Sequence, residues 1–139
     1  MSYSVKTIGC YISIANKKIC ARFSKLLEKN KIGFTMSGWA VLHQLWQKDG
    51  LTQQEISDRS GIAKPNISNY ISKLEKNDFV VRVVDPIDKR NYHIYMTNKA
   101  KQAKDLSLSL RKQAEDEILT PLNEVEKKDL ERMLSKLNE

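Results

Sequence analysis

Residues 51–76 read LTQQEISDRSGIAKPNISNYISKLEK, and the fold turns on this stretch. Thr52-Gln53-Gln54-Glu55 has the form of a capping box, in which Thr52 caps forward while Glu55 reaches back to the cap amide. The helix it opens is short and ends near Ser60. Gly61 suits a left-handed turn residue. Pro65 fits the first turn of a second helix, where its missing N–H costs nothing, and that helix continues to about Lys76. Two helices joined so tightly need a small residue where they cross, and Ser57, four before Gly61, supplies it. Ile56, Ile62, Ile67, Ile71 and Leu74 give the pair its apolar side. The outward side of the second helix is then Lys64, Asn66, Ser68, Asn69, Ser72 and Lys73.

Downstream, the Val-rich residues 79–84 and the alternating residues 92–96 predict two strands. Between them lies Asp85-Pro86-Ile87-Asp88-Lys89-Arg90-Asn91, a charged, turn-rich loop, so the strands form a hairpin. A tight helix pair followed by a hairpin with a basic tip is a winged helix-turn-helix. Short polar side chains framed by Lys suit the major groove of double-stranded DNA. There Asn can bond bidentately to adenine, Ser can reach several bases, and Lys meets phosphate. A Ser/Asn face standing alone would be an ordinary solvated helix; turn, cap and wing together point to DNA.

Upstream, residues 35–48 predict a helix capped by the Thr35 hydroxyl, with Trp39, Leu42, Leu45 and Trp46 inward. Residues 5–29 predict a longer one, whose stripe is Ile8, Ile12, Ala15, Ile19, Phe23 and Leu26. Lys18, Arg22, Lys25 and Lys29 follow the same steps on another face, ordinarily a solvated one. From about Asn98 the helical period returns through Ala103, Leu106, Leu110, Ala114 and Ile118 until Pro121. Asn123-x-x-Glu126 then opens a last helix carrying Leu130, Met133, Leu134 and Leu137. The class is mainly α with a small β-hairpin.

The chain of 139 residues carries a formal charge of +7, which favours an anionic partner. The excess is N-terminal: residues 1–34 hold 7 basic and 1 acidic side chains, 35–97 hold 8 and 7, and 98–139 hold 9 and 9. DNA reading at the centre must therefore come from placement. No run approaches the roughly 20 apolar residues of a membrane span, and the N-terminus lacks the apolar core of a signal peptide. Cys10 and Cys20, without a second pair, suggest reduced thiols in a cytoplasm.

The stretch from residue 35 to residue 100 resembles the MarR family of bacterial and archaeal regulators. The resemblance is carried by Leu51-Thr52-Gln53-Gln54-Glu55-Ile56, Gly61-Ile62-Ala63-Lys64 and Leu74-Glu75-Lys76. It continues from Val80 through Asp85-Pro86-Ile87-Asp88-Lys89-Arg90 to Met96-Thr97-Asn98-Lys99-Ala100. It implies one domain over 1–139, with dimerisation helices in 1–34 and 98–139 and the winged helix-turn-helix in 35–97. It further implies a homodimer whose two heads straddle DNA. By position, Lys89 and Arg90 fall at the wing tip, where Arg suits a narrow A·T-rich minor groove. Asp88 is expected to pair with Arg82 and hold the wing's shape. Three positions depart from the family pattern: Asn77-Asp78 replaces a Gly before the wing, Ala100 replaces another, and Ser60 stands where an apolar residue is common.

The family also implies a small aromatic or lipophilic effector, for which Tyr11, Trp39, His43 and Trp46 are the candidate cleft, although tryptophans on amphipathic helices ordinarily pack into a core. Cys10 is a candidate redox sensor if its pKa is lowered and it is accessible; Cys20, beside Phe23 and Leu27, looks structural. His43 and His93 sit on separate elements without metal-ligand spacing, so no metal or other cofactor is expected. No nucleophile motif or phosphate loop suggests an enzyme. The expectation is a ligand-responsive repressor on a pseudo-palindromic operator. Two alternatives remain: a winged-helix adaptor that binds protein without reading DNA, and a thiol sensor acting through Cys10.

Overall fold

The computed structural model describes residues 5–139, so the first four positions of the expected N-terminal segment lie outside the described residues. Seven helices and three strands follow in the order α1 (Ile8–Lys29), α2 (Met36–Gln47), β1 (Leu51–Thr52), α3 (Gln53–Ser60), α4 (Lys64–Lys76), β2 (Val80–Val84), β3 (Tyr92–Met96), α5 (Asn98–Gln102), α6 (Lys104–Ile118) and α7 (Glu124–Leu137). The architecture is the expected mainly α winged helix-turn-helix. No helix among the described residues is long and apolar enough to cross a membrane.

Local chemistry sets most boundaries. Thr52 and Glu55 form the capping box, with both bonds at 3.1 Å. Gly61 closes α3 at φ 71°, and Asp78 takes the left-handed turn before β2 at φ 63°. The Asp side chain thus does what Gly does elsewhere, at some strain. Asn123 and Glu126 cap α7 reciprocally.

Four expectations need correction. Helix α1 begins at Ile8 and not at Val5, because the Thr7 side chain accepts from the Cys10 amide and fixes the start. Thr35 flanks α2 but does not cap it; its hydroxyl lies 2.9 Å from the Ser37 hydroxyl instead. The helix expected from Asn98 is broken at Ala103, where the Thr97-capped α5 gives way to α6. The hairpin is part of a three-stranded antiparallel sheet of order β1-β3-β2, because Leu51 and Thr52 pair with Ile94 and His93.

The core lies between α2, α3, α4 and the sheet, centred on Val41, Leu42, Leu45, Ile56, Ile67, Ile71, Phe79 and Ile94. The C-terminal half of α1 joins it through Phe23, Leu26 and Leu27, beside Leu110 and Ala114 of α6. The N-terminal half of the α1 stripe is left uncovered, with Ile8 78% and Ile12 45% exposed. Helix α7 buries no residue, although Val125, Met133 and Leu137 lie on it.

Candidate nucleic-acid interface

The α3–α4 turn is built from backbone and one hydroxyl. The Gly61 amide donates to the Ser57 carbonyl at 2.9 Å, and the Ser57 hydroxyl donates to the Ile62 carbonyl at 2.6 Å. Ser57 therefore does more than give room at a crossing: it ties the turn to the helix before it. Ser60, which departs from the family's apolar preference, accepts from the Ile62 amide in the same turn. The buried Ile56, Ile67, Ile71 and Leu74 fix how α4 is rotated. That rotation turns Lys64, Asn66, Asn69, Ser72 and Lys73 to solvent and leaves Ser68 half-covered.

The outward residues fall into two groups. Among the described residues, the side chains of Lys64, Asn66, Asn69 and Lys73 make no hydrogen bond or ion pair. Ser72 is committed to the fold through its hydroxyl, and Ser68 through its main-chain carbonyl. Arg82 of β2 donates from Nη2 to the Ser68 carbonyl at 3.0 Å and to the Ser72 hydroxyl at 3.1 Å, while Nη1 meets Glu75 at 3.2 Å. With the Gln53 amide oriented to satisfy both groups, its oxygen lies 3.3 Å from Arg82 Nη2 and Nε. One guanidinium thus joins α3, α4 and the sheet, using the several directed donors that only Arg offers.

The expected Asp88–Arg82 pair does not form. Arg82 lies opposite the buried Ile94 in the ladder, so its side chain runs over α4 and away from the wing tip. Asp88 serves its own loop instead. Its Oδ1 accepts from the Arg90 amide at 3.1 Å and from Arg90 Nε at 3.2 Å, and its Oδ2 accepts from Asn91 at 3.3 Å. Arg90 nonetheless stays 91% exposed, and Lys89 beside it is exposed too.

The loop is held at its base by a residue not singled out from sequence. Asp85 Oδ1 accepts from the Ile87 and Asp88 amides at 2.8 and 3.0 Å, and Oδ2 meets His93 Nε2 at 2.7 Å. The Asp88 amide, the His93 ring and the Ile87 amide together hold the Asp85 carboxyl down to about 2. The hairpin register, in which Val83 opposes His93, was the available signal that these side chains meet.

The candidate effector residues are only partly gathered. Trp39 stacks on His43 at 4.9 Å and meets Trp46 edge-on at 5.6 Å. Trp46 Nε1 donates to the Ala100 carbonyl at 3.1 Å. Ala100 itself is fully buried. Arg111 of α6, which periodicity did not mark, lies over the Phe23 and Trp39 rings. Burial, and then the Arg111 charge, pushes the His43 pKa down. Tyr11 is 60% exposed on the uncovered half of α1. It lies twelve residues before Phe23, about 18 Å along the helix. A cavity of about 290 Å³ opens elsewhere, between the start of α2 and the end of α4, lined by Phe34, Gly38, Tyr70, Lys73, Leu74 and Lys76. Cys10 is exposed, and the Thr7 hydroxyl donates to its sulfur at 3.4 Å and lowers its pKa. Cys20 is half-buried, with its thiol 3.8 Å from Asn16 Oδ1.

A family model described as the MarR family matches residues 34–92. The HTH-type transcriptional regulator YkoM of Bacillus subtilis is 32% identical over 94 residues, which is 63% of this chain and 61% of that protein. The regulator YwaE of the same organism is 29% identical over 73% of this chain and 59% of its own length. The chain thus spans about three fifths of these two relatives. SarZ of Staphylococcus aureus is 26% identical over 74% of this chain and 68% of its own. Among solved structures, a MarR transcriptional regulator from Methanosarcina mazei superposes with a TM-score of 0.86 at 22% identity, covering 94% of this chain and 92% of that one. The apo form of MarR from E. coli gives 0.82 at 19%, over 96% and 98%. At these identities the two structures speak to the fold.

Proposed function

We propose that the chain is a regulator of the MarR type, whose family model matches residues 34–92, and that it binds DNA sequence-specifically as a homodimer on a pseudo-palindromic operator. The observation that carries this reading is the division of labour on α4. Asn66, Asn69, Lys64 and Lys73 stand exposed with no side-chain partner among the described residues, while the Ser68 carbonyl, Ser72 and Arg82 fix the helix against the wing. Asn66 and Asn69 read base edges in the major groove; Lys64 and Lys73 meet phosphates; Lys89 and Arg90 reach the adjacent minor groove. The relatives' names as HTH-type transcriptional regulators support the same reading.

The dimer is supported by apolar surface that one chain does not cover: Ile8 and Ile12 on α1, and Val125, Met133 and Leu137 on α7. These helices lie at both ends of the chain, away from the reading helix, so a second copy completes them without blocking DNA. Operator binding represses by occupying promoter DNA, in the cytoplasm where that DNA is. A small aromatic or lipophilic effector relieves it by shifting the two heads. The Trp39–His43–Arg111 junction supports this, because it joins the head to α6.

The test is selection of bound duplexes from random DNA. Imperfect palindromes with half-sites about 10 base pairs apart, centre to centre, are expected. A return of single half-sites alone, or of no duplex, would count against it, and the adaptor reading would take its place. A second reading is favoured by one observation, the exposed Cys10 thiol polarised by Thr7. Oxidation there would modulate DNA affinity. Titration with hydrogen peroxide should weaken the wild type and spare Cys10→Ser; equal responses remove this reading.

A further inference from the structure

His93 projects from the same face of β3 as Tyr95, opposite Thr52 of β1 and Val83 of β2. Its Nδ1 lies 2.8 Å from the Gly50 carbonyl oxygen, and its Nε2 lies 2.7 Å from Asp85 Oδ2. Both partners only accept. A carbonyl oxygen has no hydrogen to give, and Asp85, whose other oxygen takes two loop amides, stays a carboxylate to about pH 2. A neutral imidazole carries one N–H and one lone pair, so it can satisfy one of these partners and must set its lone pair against the other. The imidazolium donates to both.

We infer that His93 is a positioning residue for DNA binding: as an imidazolium it fastens the wing loop to the turn before β1, and loss of its proton gives up one of these two bonds and loosens the loop. This rests on the DNA-binding reading above. The path to DNA is short. Asp85 shapes the loop through the Ile87 and Asp88 amides, and Asp88 in turn holds Arg90. Releasing Asp85 from His93 therefore loosens the mounting of Lys89 and Arg90.

The charges around the ring agree with this. Asp85, from the wing, and Glu55, from the first turn of α3, are the ones that act on it, and both are negative. Lys48, at the end of α2, acts on Glu55. Asp49, in the same turn as Gly50, accepts from the Met96 amide. The Gly50 bond first, and Asp85 second, raise the His93 pKa above its ordinary 6.5. The fastening is complete below that value and is lost as pH rises through the raised one.

Two measurements on the full chain test this. The first is a long-range proton–nitrogen correlation spectrum of the two histidine rings, assigned with His43→Gln. At pH 7, both ring nitrogens of His93 should be protonated, while His43 should be a neutral tautomer. The second is affinity for the selected operator from pH 6 to pH 9 at fixed salt. The wild type should weaken about 3- to 10-fold across this range, as for one lost hydrogen bond. His93→Gln should give a flat profile near the wild type's alkaline value, and Arg90→Ala should lose most of the dependence. A neutral His93 at pH 7, or a His93→Gln profile parallel to the wild type's, overturns the inference while leaving the DNA reading intact. A wild type that binds no duplex at any pH, with His93 still an imidazolium, overturns the DNA reading and the positioning role with it.

Discussion

The Arg82 guanidinium donates to the main-chain carbonyl of Ser68 at 3.0 Å, so a strand of the wing sheet holds the middle of the reading helix by its backbone. The same group takes in Ser72, Glu75 and Gln53, and its side chain is only 19% exposed. Removing it leaves the Ser68 carbonyl and Ser72 hydroxyl without their charged donor. Arg82→Ala should lower stability by about 1–3 kcal/mol, the range for leaving a buried partner unsatisfied. Arg82→Lys should recover part of this at most, since an ammonium cannot reproduce the fork. Urea unfolding measures both. Stabilities equal to the wild type would mean that α4 is held by its apolar side alone.

That staple marks where sequence reasoning reached its limit. Gly61, Pro65 and the Thr52–Glu55 box were legible because each acts within four residues, through φ preferences and capping bonds that residue type determines. The apolar face of α4 was legible because Ile67, Ile71 and Leu74 repeat at helical steps. The partner of Arg82 was not, because pairing it with Asp88 needed the direction in which β2 leaves the sheet. Strand β1 was hidden for a related reason: two residues carry no periodicity, and Thr52 already had a role as a cap. For α1, the stripe correctly marked apolar surface, but nothing in a stripe says whether this chain covers it. Burial stops at Phe23 and leaves Ile8 and Ile12 open.

The two histidines should drive stability in opposite directions with pH. His93 has a raised pKa, so the folded state holds its proton more tightly. Its contribution is complete below the ordinary 6.5 and falls as pH rises through the raised value. His43 has a lowered pKa from burial, so the unfolded state binds the proton more tightly. Its contribution is present above 6.5 and is lost as pH falls through the lowered value. Compared with the wild type, His93→Gln should become relatively more stable toward alkaline pH, and His43→Gln relatively more stable toward acid. Thermal unfolding from pH 5 to pH 9 checks the signs. Two slopes that both match the wild type would show that neither ring is coupled to folding.

Dimerisation should depend on side chains that the single chain leaves exposed. Ile8 is 78% exposed and Leu137 72%, so charging either removes little from the fold of one chain. In a dimer the same change places a charge against a partner's apolar surface without a counter-charge. Ile8→Glu with Leu137→Glu should therefore shift micromolar protein from dimer toward monomer in sedimentation, and lower operator affinity with it. A wild type that sediments as a compact folded monomer at micromolar concentration would refute the dimer outright.

The reading helix and the wing should fail in different ways. Asn69 is exposed and makes no side-chain hydrogen bond among the described residues, so its carboxamide is available to a base edge. Asn69→Ala should cost roughly 1–3 kcal/mol on the best operator and much less on random DNA, because base readout is lost while phosphate contact is kept. Arg90 is 91% exposed on a loop fixed by Asp88, and the contact proposed for it is with the DNA backbone and the narrow groove. Arg90→Ala should weaken operator and random DNA more evenly. It should also flatten the salt dependence by about one unit of slope, because one cation near phosphate is gone. Any preference that Arg90 confers should be for A·T-rich flanks and not for a single base. Titration of both variants against operator and scrambled duplexes across a salt series separates the two. If both bind like the wild type on every duplex and at every salt, the assigned surface is wrong and the winged head serves a protein partner instead.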